Sequence, residues 1–122
     1  MKPLIPIMQL KRKPRTMTQL FSSPRRWTKR ALYRDGEGYS VPLTAEAHCV
    51  CLLGAADVLA EINDVSPRFC CATLEKALGR KLNAYEQSVS VFNDDRSTTF
   101  SKIRKIAAEY DRLMAERAKE SK

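Results

Sequence analysis

No Asp or Glu occurs before residue 35, although ten Lys or Arg lie in that stretch. The remaining 88 residues hold twelve basic and fourteen acidic ones, so the formal charge of +8 belongs to one end of the chain. Long apolar runs are absent too. None approaches the ~18–20 residues that span a bilayer, which argues against a transmembrane helix. The opening MKPLIPIMQLKRK has too short an apolar part for a secretory signal, and Pro3 and Pro6 interrupt it. Four prolines in the first 24 residues work against the amphipathic helix of an organelle transit peptide. Glycine is scarce, four in 122 residues, and no glycine-rich phosphate loop, Ser-His-Asp set or nucleophile elbow is present. There is a single His, and the four Cys form two close pairs, Cys49 with Cys51 and Cys70 with Cys71. Without an export signal, reduced thiols in a cytoplasm are the expectation.

The length allows one domain with one core and a short extension. Residues 1–22 read as a flexible basic arm. Pro3, Pro6 and Pro14 block helix propagation there, and Lys11, Arg12, Lys13 and Arg15 form a solvated cluster. Residues 23–122 read as a single helical domain. A first helix is predicted from Pro24 to about Arg34, with Ser23 as cap and Pro24 at the first helical position. Trp27, Ala31 and Leu32 make its buried stripe, and Arg25, Arg26, Lys29 and Arg30 cover the other faces. Asp35-Gly-Glu-Gly38 breaks it.

A second helix is predicted from about Ala45 to Ile62, capped by Thr44 and apolar nearly all round between Val50 and Leu59, as a central helix would be. Gly54 inside it costs on the order of 1 kcal/mol against Ala, and close approach of another helix would offset that. The same Gly54-Ala55-Ala56 face, or the last helix, offers a surface for a homodimer. A third helix starts on Ser66 and Pro67 and ends at Gly79. Val89 and Val91 alternate with serines, a strand-like pattern, but Asn83 and Glu86 fit a capping box, so a short helix is preferred over 84–93. Asn93-Asp94-Asp95 follows as a polar turn. A last helix runs from about Thr99 to Ala118, its stripe made by Phe100, Ile103, Ala107, Tyr110, Leu113 and Met114. The expected fold is all-α, four or five helices in a compact domain with a basic, proline-containing N-terminal arm.

Three short patterns carry a likeness: Trp27-Thr-Lys29-Arg-Ala31, Cys51-Leu-Leu-Gly54-Ala55, and Phe92-Asn93-Asp94 followed by Thr98. Together they make residues 27 to about 114 resemble a family of small uncharacterised bacterial and bacteriophage proteins, a domain of unknown function. Phe92 replaces a Trp usual in the turn, and the usual Pro-Gly is missing. The resemblance implies the helical fold and the order of elements, and it implies no activity. It leaves the basic arm outside.

Residues able to carry chemistry are few. His48 and Cys51, three apart on a helix, share a face and could form a thiolate–imidazolium pair. Against this, Cys51 lies in the most apolar part of the chain, and a small buried residue beside Gly54 accounts for it better. His48 with Cys49, Cys51, Cys70 and Cys71 has zinc-type ligands, but residues one or two apart on a helix diverge, and core packing accounts for the cysteines. Asn93, Asp94 and Asp95 have oxygens for a divalent cation without the spacing of a calcium loop. They read instead as turn residues, with Asp94 tying down the last helix at its positive end. No catalytic residue, metal or cofactor is assigned.

The charge asymmetry therefore carries the functional expectation. Lys11, Arg12, Lys13, Arg15, Arg25, Arg26, Lys29 and Arg30 suit phosphate contacts, which need only charge and reach. The expected role is a non-enzymatic protein that engages nucleic acid or a nucleoprotein complex through this surface. An inhibitor of a bacterial defence nuclease, such as an anti-CRISPR protein, is one concrete version by analogy. An acidic protein surface is the alternative partner.

Overall fold

The computed structural model describes residues 4–79 and 88–120. Among them are five α-helices: α1 (Met17–Leu20), α2 (Leu52–Asn63), α3 (Pro67–Leu78), α4 (Ser88–Asp94) and α5 (Phe100–Glu120). Two short strands, β1 (Tyr33–Arg34) and β2 (Cys49–Val50), pair antiparallel. The domain is mostly helical, as the pattern implies, with this small sheet in addition.

The best-anticipated helices are those whose ends are written locally. Ser66 accepts a hydrogen bond from the Phe69 amide at 3.5 Å, Pro67 takes the first turn of α3, and Gly79 closes it at φ 70°. A positive φ suits glycine because no Cβ meets the following carbonyl. In α5, Thr99 caps by accepting from Lys102 N at 3.3 Å, and Ile103, Ala107 and Tyr110 are buried at helical spacing. Helix α2 lies in the middle of the core, its Leu52, Ala55, Ala56, Val58, Leu59 and Ala60 almost fully buried. It packs against α3, which in turn packs on α5.

Two predicted helices are corrected. Pro24–Arg26 makes only a single 3₁₀ turn, and the backbone is extended at Trp27 before bending at residues 29–32. Thr28 N donates to Val50 O at 3.0 Å, and Cys51 N donates to Leu32 O at 3.1 Å. The second helix starts at Leu52, not Ala45, because residues 47–51 make these pairings. Thr44–Glu46 is a 3₁₀ turn, and Cys51 caps α2 through its sulfur, 3.3 Å from Gly54 N. The Asp35–Gly38 turn is present, with Asp35 Oδ1 accepting from Glu37 N and Tyr39 N at 2.9 and 3.0 Å. Helical propensity over 24–34 and 45–50 loses to tertiary strand pairing. Of the predicted helix over 84–93, residues 84–87 and its Asn83 cap lie outside the described residues. The remainder is α4, which runs on through Asn93 and Asp94 where a turn is predicted.

Gly54 does allow a close approach, but to backbone rather than to another helix. A Cβ there would stand 2.3 Å from Leu32 O and 3.2 Å from the Tyr33 ring. The Gly54-Ala55-Ala56 face is thus covered within the protomer and is not a free dimer surface. Gly54→Ala is expected to lower stability by about 2–4 kcal/mol, since displacing a backbone carbonyl outweighs the ~1 kcal/mol gain in helix propensity. A denaturant midpoint equal to or above that of the wild type would contradict this contact.

Candidate functional site

The N-terminal segment is part of the domain, not an arm. Ile7, Met17, Leu20 and Phe21 are at most 2% exposed and belong to the core cluster. The prolines that forbid a long helix leave a path of turns that places these four side chains inward. Ile7 N donates to Ala47 O at 2.9 Å. Asp111 of α5 receives Met17 N at 2.8 Å, Thr18 N at 3.0 Å and the Thr18 hydroxyl at 2.7 Å. A carboxylate taking the free amides at the start of α1 is the interaction such an end requires. Asn63 donates to Arg15 O at 2.9 Å, and Arg104 donates to the carbonyls of Thr18 and Phe21.

This fastening gathers part of the basic set. Arg12, Lys13, Arg15 and Arg26 line one groove of about 560 Å³, with Ile7, Leu10 and Leu20 beneath. Among the described residues no acidic one lines it. Arg12, Lys13 and Arg15 are exposed. Arg26 also acts as a structural clasp. Its Nη1 donates to Ile5 O at 2.7 Å and His48 O at 2.9 Å, pinning the segment to the loop before β2. Burial, and then the charge of Arg25, lowers its pKa from the usual arginine range. Lys11 and Arg25 are exposed but do not line the groove.

Lys29 and Arg30 belong elsewhere. Lys29 Nζ donates to Asp95 O at 2.6 Å and sits 5.3 Å from the centre of the Trp27 ring. Arg30 has φ 65°, and its amide donates to Asp94 Oδ1 at 2.8 Å. Asp94 therefore ties down this segment, and not the last helix as expected.

Asn93 matters more than its place in a polar turn suggests. Fully buried, it accepts from Trp27 Nε1 at 2.8 Å and Leu52 N at 3.0 Å through Oδ1. Its Nδ2 donates to Thr28 O at 3.0 Å and Asp94 Oδ1 at 2.9 Å. Three motifs that are separate in the sequence meet at this side chain. A lone Trp whose indole N–H must find a buried acceptor is the available signal.

The cysteine and histidine candidates do not assemble. His48 and Cys51 precede α2, so the shared helix face is lost. The His48 ring lies against Gly36, with Nδ1 3.1 Å from Glu46 O, while Cys51 caps α2. Burial raises the thiol pKa of Cys49, Cys51 and Cys71, which disfavours thiolate. Among the described residues no three His, Cys, Asp or Glu gather as metal ligands. No helix among them is long and apolar enough to cross a membrane.

Residues 15–108 match the family of unknown function DUF6197, and the chain belongs to that family. The match begins at Arg15, so it takes in α1, which the sequence resemblance leaves outside. No curated protein and no solved structure matches the chain.

Proposed function

We propose that this member of a family of unknown function is a non-enzymatic binding protein whose N-terminal groove holds the phosphates of a nucleic acid, free or within a nucleoprotein complex. One observation carries the reading: Arg12, Lys13, Arg15 and Arg26 converge on a single concavity that no described acidic residue lines. Phosphate binding needs cationic charge within reach and no base-specific geometry. Hydrogen bonds to the backbone of Ile5, Arg15 and Met17 fasten the chain on either side of these cations, which reduces the ordering cost of binding relative to a loose arm. The floor of the groove is aliphatic, so it has no aromatic face on which a base would stack. Binding is then electrostatic and indifferent to base sequence.

The test is binding of the full chain to fluorescent duplex and single-stranded DNA across a salt series. Three phosphate contacts give a slope of about −2.7 for log K against log salt on duplex. The triple variant Arg12→Glu, Lys13→Glu, Arg15→Glu is expected to remove most of that slope while circular dichroism stays unchanged, since all three side chains are exposed. Absence of binding by the wild type at low salt would sink the reading and direct a pull-down toward an acidic protein partner.

A further inference from the structure

Beside the Asn93 hub lies a second cavity, about 330 Å³, lined by Arg30, Ala31, Leu32, Cys51, Ser90 and Asp94. Its size falls within the roughly 300–1,000 Å³ usual for small-ligand sites. The lining joins the segment after Trp27, the residue capping α2 and the middle of α4. It offers one cation, one anion, one hydroxyl and an apolar wall.

These polar groups are incompletely used. Asp94 Oδ1 takes the Arg30 and Asn93 N–H groups, whereas Oδ2 accepts from none of the described residues. The Arg30 side chain is exposed and makes no ion pair with a described carboxylate, although its own backbone touches Asp94. The Ser90 hydroxyl bonds to no described residue either. A simple anion entering here would meet repulsion from Asp94, and a simple cation would meet repulsion from Arg30. A ligand carrying both charges satisfies both groups.

We propose that this cavity binds a small zwitterion of the free α-amino-acid type, with its carboxylate on the Arg30 guanidinium and its ammonium on Asp94. The planar guanidinium fork matches a carboxylate in two parallel hydrogen bonds. Ser90 supplies a further donor or acceptor, and Ala31 with Leu32 receives the ligand's side chain. Arg30, at φ 65°, donates its backbone N–H to Asp94 in a hydrogen bond, so the backbone fastens the cation beside the anion without joining the two charges.

Thermal shift and isothermal titration of the full chain with each of the twenty free amino acids test this. At least one is expected to bind at millimolar concentration or below and to raise Tm. Its N-acetyl and carboxamide derivatives, each lacking one charge, are expected to bind about tenfold more weakly or worse. Arg30→Gly separates binding from folding. Glycine takes φ 65° without the Cβ penalty, so Tm is expected to hold while affinity falls at least tenfold. Arg30→Lys keeps the charge without the fork and is expected to fall between. Charge reversal at Arg12, Lys13 and Arg15 is expected to leave this binding unchanged, which keeps it distinct from the groove. No Tm shift with any of the twenty, equal binding of the charge-deleted derivatives, or full affinity in Arg30→Gly would each overturn the proposal.

Discussion

Deletion of residues 1–22 is expected to abolish cooperative unfolding rather than trim an appendage. The segment contributes Ile7, Met17, Leu20 and Phe21, all at most 2% exposed. Burying four such side chains is worth about 6–12 kcal/mol at roughly 1.5–3 kcal/mol each. That matches the whole stability of an ordinary domain, about 5–15 kcal/mol. The deletion also strips Asp111 of its three hydrogen bonds and leaves Ala47 O without the Ile7 amide. Near-UV circular dichroism and a urea titration would read this. The truncated chain should show no sigmoidal transition and should expose apolar surface to a dye such as ANS. A truncated protein with a native transition would show that these residues contribute little to the core. Function is affected as well. Loss of nucleic-acid binding on truncation would report unfolding, so charge reversal at the exposed Arg12, Lys13 and Arg15 is the informative test.

The second large effect is expected at Asn93. Asn93→Ala removes one acceptor and one donor that serve four groups, Trp27 Nε1, Leu52 N, Thr28 O and Asp94. Each buried group left without a partner costs about 1–3 kcal/mol, and water entering the vacated space recovers only part. A net loss of about 3–4 kcal/mol is expected, large for a single substitution. For a chain of this size that corresponds to a fall of roughly 10–15 °C in Tm. Trp27→Phe deletes the indole N–H and leaves Asn93 Oδ1 with the Leu52 amide, so its loss should be smaller, about 1–2 kcal/mol. Because both changes act on one hydrogen bond, the double variant should lose less than the sum of the two. Additive losses would mean that the Trp27–Asn93 bond contributes nothing of its own.

The legible elements are those whose signals are local. Ser66, Pro67 and Gly79 bound α3 by chemistry confined to a turn at each end. The 3.6-residue stripe of α5 repeats often enough to identify its buried face from Phe100 to Tyr110. The stretches 24–34 and 45–50 have acceptable helical propensity but are decided by partners far along the chain. Trp27 bonds Asn93, 66 residues away, and β1 pairs with β2 sixteen residues on. Prolines near the start suggest a detached arm. They exclude a long helix and leave burial open, and Ile7, Met17, Leu20 and Phe21 fill the core from turns instead.

Of the eight basic residues singled out from the sequence, three are exposed on one groove together with Arg26, and Lys29 and Arg30 face a different corner. Their number and sign are properties of composition and are readable at once. Their convergence is a matter of chain path, which no periodicity encodes. The small cavity lies further still from any sequence signal, since Arg30, Cys51, Ser90 and Asp94 come from segments up to 64 residues apart.

The order of residues alone was enough to establish a mostly helical fold and a cationic N-terminal end beside a near-neutral remainder. Those follow from capping chemistry, helical periodicity and charge count, each of which acts over a few residues or over none. Tertiary structure decided that the basic end is core as well as surface, that backbone rather than a second helix approaches Gly54, and that Asn93 joins three distant motifs. These depend on which buried polar and apolar groups find partners, and that is settled only when the whole chain packs.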